Sequence, residues 1–156
     1  MRILFVCTGN TCRSPMAEAI LRQALTARGV ADITVGSAGT GAWDGAPVSE
    51  GAYLVALERG LDLSGHRARL LTGELIENAS VILTMSRHHR TRVVELGGGE
   101  KAHLIGDFAG RSGPDAEVPD PFGADLDAYR DTFDELVRLI DAVVARLTAE
   151  RPGDTR

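Results

Sequence analysis

Near the N-terminus the segment Cys7-Thr8-Gly9-Asn10-Thr11-Cys12-Arg13-Ser14 places a thiol at the end of an apolar run, with an arginine six positions later. Ser14-Pro15 then opens a helical pattern, with Ser14 as the expected N-cap and Pro15 at the first helical position, where its missing N–H costs nothing. A helix N-terminus presents unpaired N–H groups and about half a positive charge. A tight loop containing Gly9 can turn further amides toward the same point, making an anion nest from Thr8, Gly9, Asn10, Thr11, Cys12, Arg13 and Ser14. Arg13 adds a planar charge suited to two phosphate oxygens. A thiol held there is favoured as its thiolate, the nucleophilic form. The chemistry is phosphoryl transfer. A lone cysteine is ordinarily a packed strand residue, but strand, glycine turn, arginine, serine and proline together argue against that here. The loop lacks G-x-x-x-x-G-K-[ST], so it is no Walker nucleotide site.

Such a nucleophile needs a proton donor for the leaving group. Asp107, Asp115 and Asp120 are the candidates on the Gly/Pro/Asp-rich stretch 109–123 and just before it. Pro121 favours Asp120, because it stiffens the loop that aims the carboxylate.

These residues are far apart in sequence, so the elements between them must bring them together. Ile3–Val6 is a continuous apolar run, the pattern of a strand buried on both faces. Further strands are expected at Ile33–Val35, Val81–Met85 and Ala102–Ile105. Helices are expected from Ser14-Pro15 to Gly29, from Ser49 to Gly60, over 72–78, from Ser86 to Leu96, and over about 124–148. Residues 61–71, including His66, read as irregular, and the only tryptophan, Trp43, lies in a glycine-rich loop. Alternating strands and helices predict an α/β fold: three layers, α/β/α, around a four-stranded parallel sheet of Rossmann-like type. Strand-to-helix loops then share the carboxyl edge of the sheet, where a composite site belongs. One domain over 1–149 and a flexible tail over 150–156 are expected.

The formal net charge of −5 argues against a nucleic-acid or membrane-surface binder, since polyanions reward a basic face. Two cysteines are too few for a disulfide framework and lack the companions of a zinc site, so no metal and no cofactor are expected. No apolar stretch approaches a membrane span or a signal-peptide core, and a reducing cytoplasm is the expected compartment. Arg87, His88, His89, Arg90 and Arg92 read as a solvated basic helix face, and His103 as structural.

Val6-Cys7-Thr8-Gly9-Asn10-Thr11-Cys12-Arg13-Ser14-Pro15-Met16-Ala17-Glu18, with Ser37-Ala38-Gly39-Thr40, Gly65-His66-Arg67-Ala68 and Asp120-Pro121-Phe122-Gly123, resembles the low-molecular-weight protein tyrosine phosphatase family. The resemblance extends to about residue 148. It implies Cys7 as nucleophile, Arg13 as transition-state clamp, and Asp120 as general acid and then general base. Ser14 would donate to the Cys7 sulfur, and Asn10, Ser37 and His66 would hold the loop in shape. It also implies that Cys12 can form a reversible disulfide with Cys7, although a plain packing role serves Cys12 equally well.

The implied function is hydrolysis of phosphorylated protein side chains through a cysteinyl-phosphate, by a monomeric chain that releases inorganic phosphate, itself a competitive inhibitor. Thr11, Trp43 and Phe122 are the expected specificity residues. The threonine-containing loop resembles that of bacterial protein arginine phosphatases, and a hydroxyl suits a guanidinium better than a phenyl ring. Phosphoarginine is therefore favoured, with phosphotyrosine the alternative, since Trp43 and Phe122 can also flank a phenol ring. Arsenate reductases share the loop but need cysteines after Cys12, and this chain has none. A phosphate-binding module without catalysis would need neither Cys7 nor Asp120.

Overall fold

The expected central strand forms as β1 (Arg2–Cys7), and side-chain alternation sends Ile3 and Phe5 to one face and Leu4 and Val6 to the other. Both faces are covered, which is why the run is apolar without a break. The computed structural model describes residues 1–149, and the tail expected at 150–156 lies outside the described residues. The sheet has four parallel strands in the order β2-β1-β3-β4, with β2 at Thr34–Gly39, β3 at Val81–Thr84 and β4 at Ala102–Leu104.

Helices α1 (Arg13–Ala27), α2 (Glu50–Glu58) and α6 (Leu126–Ala149) pack on the Ile3/Phe5 face. The inner stripe of α6 is Tyr129, Phe133, Leu136, Leu139, Ile140, Val143, Val144 and Leu147, at helical spacing; Leu126 and Val137, which the sequence periodicity also places on that stripe, are exposed, and Leu139, which it leaves out, is buried. Each such buried side chain contributes up to about 1.5–3 kcal/mol. Helices α3 (Gly73–Asn78) and α4 (Arg87–Glu95) cover the other face through Ile76 and Val93. The three-layer expectation holds.

Three local expectations change. Strand β2 continues past Val35 to Gly39, because Gly36–Gly39 pairs with Leu4–Cys7 despite its poor strand propensity. Ile105 leaves the sheet and starts a one-turn helix, α5 (Ile105–Phe108). Helix α1 begins at Arg13 with no side-chain cap, so Ser14 lies inside its first turn and its hydroxyl serves another partner.

Candidate active site

The carboxyl ends of β1, β2 and β3 meet at the loop after β1. Four of that loop's carbonyls are drawn away from its centre. Cys7 O accepts from Thr40 N, Thr8 O from Gly41 N and Thr11 O from Ser49 N, each at 2.9 Å. Asn10 O accepts from His66 Nε2 at 2.8 Å. In a planar peptide the next N–H points opposite to the carbonyl. The amides of Thr8, Gly9, Thr11 and Cys12 therefore turn the other way, toward a cleft that these four residues line. That cleft measures about 270 Å³ and is also bordered by Cys7, Arg13, Trp43, Ala46, Asp120 and Phe122.

The loop turns at Asn10, the only non-glycine with positive φ (56°) among the described residues. Asparagine tolerates this conformation better than most side chains, and here its amide is fully engaged. Oδ1 accepts from Arg69 N at 3.0 Å, while Nδ2 donates to Ser14 Oγ at 2.8 Å and Ser37 Oγ at 2.9 Å. Each serine then has its own proton left to give. Ser37 donates to Glu18 Oε1 at 2.6 Å, and Ser14 Oγ lies 2.9 Å from Cys7 Sγ, a contact in which the hydroxyl is the donor once the sulfur is a thiolate. Gly39 lies directly behind the loop, where a Cβ would collide with Thr8 O. Only glycine allows β2 to approach this closely.

Arg13 is almost wholly buried. Its Nη1 donates to Val118 O at 2.9 Å and Ser86 Oγ at 3.2 Å, and Nη2 lies 3.6 Å from Asp120 Oδ2. Its Nε is buried with no partner in the protein. A buried charged donor left unpaired costs about 1–3 kcal/mol or more, which an anion in the cleft would offset. Asp120 is half exposed (49%), and its Oδ1 accepts from Phe122 N at 3.0 Å. The other two carboxylates considered for the acid, Asp107 and Asp115, do not border the cleft.

A thiol, a ring of inward amides, a buried guanidinium and a carboxylate thus face one another across a space sized for a phosphorylated side chain. A family model described as low molecular weight phosphotyrosine protein phosphatase matches residues 2–152. The chain belongs to this family. Its low-molecular-weight phosphatase relatives include a protein-arginine-phosphatase of Geobacillus stearothermophilus, 39% identical over 152 residues that cover 96% of this chain and 98% of the relative. A low molecular weight protein-tyrosine-phosphatase, PtpB, of Staphylococcus haemolyticus is 38% identical, covering 90% and 95%. Among solved structures, a YwlE arginine phosphatase with a phosphorylated active-site serine superposes with a TM-score of 0.90 at 34% identity, covering 97% of this chain and 98% of that one.

The phosphatase loop is supported by residues that sequence reading passed over. Glu18, Arg69 and Gly39 act from behind it, as described above. The basic stretch on α4 is not a uniformly solvated face. Arg87, His88, Arg90 and Arg92 are exposed, but His89 is completely buried and bonds Thr8 Oγ1 at 2.8 Å. Arg90 Nε donates to Ala102 O at 3.1 Å. One signal could have revealed His89: it lies four residues before buried Val93 and so shares its face.

Cys12, the second loop cysteine, points into the core, 3.1 Å from Ser49 Oγ and 3.5 Å from Tyr129 Oη. Burial, then the contact with Cys12, pushes the Tyr129 phenol up to about 12. His103 packs its ring at a tilt against Phe108, centroids 5.2 Å apart, the structural place expected for it.

Proposed function

We propose that the chain, as one domain over 1–149, hydrolyses phosphorylated protein side chains through a cysteinyl-phosphate, with phosphoarginine the favoured substrate. The observation that carries this reading is Cys7 Sγ in the cleft, 2.9 Å from the Ser14 hydroxyl oxygen, beside an arginine whose buried Nε lacks a partner. The Cys7 thiolate attacks phosphorus, an S–P bond forms, and the bond to the leaving group breaks as Asp120 delivers its proton. The loop amides and Arg13 hold the three equatorial oxygens. Water then attacks phosphorus, giving a proton to Asp120, and the S–P bond breaks. The Ser14 hydroxyl stabilises the departing thiolate. Inorganic phosphate leaves and, fitting the same nest, competes with substrate.

Specificity rests on Thr11, Trp43, Phe122 and Asp120. Thr11 places a polar wall on the cleft where an alkyl group would favour a phenyl ring, and the half-exposed Asp120 carboxylate borders the cleft where a substrate guanidinium can reach it. The Geobacillus arginine phosphatase supports this choice. Trp43 and Phe122 also border the cleft, which is what a phosphotyrosine ring would use, and tyrosine phosphatases stand among the relatives. Asn10, Ser37 and His66 hold the loop, and Cys12 is a packing residue able to pair with Cys7. The chain acts as a cytoplasmic monomer without metal or cofactor; among the described residues no helix is long and apolar enough to cross a membrane. The test compares phosphoarginine and phosphotyrosine peptides on wild type and Thr11→Ile. Wild type should prefer phosphoarginine and Thr11→Ile should shift toward phosphotyrosine; a wild-type preference for phosphotyrosine overturns the substrate assignment.

A further inference from the structure

The phosphate loop is braced from the β2 side by Asn10, Ser37 and Glu18, whereas its other flank leans on a single buried imidazole. His89, in the first turn of α4, contacts Thr8 and the chain at Ser86, and Ser86 in turn contacts Arg13. The hydrogen bonds fix which ring nitrogen carries the proton. Nδ1 lies 3.0 Å from Ser86 N, and a backbone N–H can only donate, so Nδ1 accepts. The proton of the neutral ring is then on Nε2, which donates to Thr8 Oγ1 at 2.8 Å. With one lone pair of Thr8 occupied, its own O–H is left to rotate toward the cleft that Thr8 lines.

We propose that His89 is a positioning residue of the phosphate site, holding the Thr8 hydroxyl as a donor toward bound phosphate and fixing Ser86 beneath the Arg13 guanidinium. This inference rests on the phosphatase reading of the cleft. The surroundings keep the ring neutral. Burial, then the positive charge of Arg13, then His88, whose tilted ring lies 4.0 Å away, lower its pKa to about 3. A charged imidazolium would have a donor at Nδ1 facing the donor Ser86 N, so the arrangement admits only one tautomer.

His89→Gln tests this. A glutamine three residues after Ser86 can still accept from the Ser86 amide, as in a capping box, so α4 keeps its start. Its carbonyl and amine sit on one end group, so it cannot bridge Ser86 and Thr8 as the two edges of the ring do. Thr8→Val removes the hydroxyl itself. Each single variant should lose about tenfold in kcat/KM on an activated aryl phosphate and in orthovanadate affinity, the size of about one hydrogen bond to a charged group. The double variant should lose no more than either single one. Wild-type behaviour of His89→Gln, or fully additive losses, overturns the proposal.

Nitrogen NMR of the wild-type imidazole decides the matter even if the variants unfold. An Nε2–H tautomer between about pH 5 and 8, with a resonance that shifts on adding inorganic phosphate, is expected. An Nδ1–H or doubly protonated ring, or no response to phosphate, overturns it. A wild-type chain inactive on every phosphate ester would instead sink the phosphatase reading.

Discussion

The two halves of the site are built on different principles. Cys7–Ser14 is buried or braced at nearly every residue: its carbonyls are held by Thr40 and Gly41 just past β2, by Ser49 and by His66, and its turn by Asn10. Asp120 sits at the surface on a long connection between α5 and α6. That connection is tied down by the Arg13–Val118 bond, by Arg87 to Glu117 and Gly113, and by the Arg111–Glu135 pair. The Arg87 amide, bonded to the Glu117 carboxylate, holds it below the usual range. The contrast follows from what each half must do. Phosphate is the same in every substrate, so its nest can be rigid and preorganised. Leaving groups differ, so on the proposed mechanism the acid, Asp120, stands where side chains of different shape can approach it.

Breaking this contrast starts at its rigid side. Cys7→Ser should lower kcat by about 10⁴-fold or more, as loss of a nucleophile does, while phosphate and vanadate still bind. Turnover near wild type would sink the covalent mechanism. On the exposed side, Asp120→Ala should slow substrates with poor leaving groups by about 10²–10⁴-fold and activated aryl esters much less. Equal losses on both would mean that Asp120 is not the proton donor. The smallest effect sharpens the claim of rigidity. Gly39→Ala forces a methyl group against Thr8 O and should cost about 1–3 kcal/mol of stability. It should also weaken phosphate inhibition roughly tenfold, because about 1.4 kcal/mol of misfit is a factor of ten. Unchanged unfolding and inhibition would show a loop that yields.

Much of this was legible in the sequence, for identifiable reasons. The Cys7–Ser14 segment carries side-chain chemistry at fixed spacing, and α6 carries an apolar stripe too long and regular to mistake. Asp120 was distinguished from Asp107 and Asp115 by the proline after it, and it alone of the three borders the cleft. Gly36–Gly39 was missed as strand because its residues have little β propensity; pairing with β1 and the tight approach to Thr8 decide its conformation, and both are tertiary facts. His89 was hidden among arginines, where composition says solvent while helical phase says core. Ser14 looked like a cap because capping is the commonest use of a serine there, but its hydroxyl is taken by Asn10 and Cys7 instead.

Trp43 has a further consequence. It is the only indole in the chain, it is 84% exposed, and it borders the cleft beside Ala46 and Phe122. Its emission therefore arises from one location, in contact with water. A ligand that covers the ring replaces that water with less polar surface, so the protein carries a built-in fluorescent gauge of occupancy, readable without label or turnover.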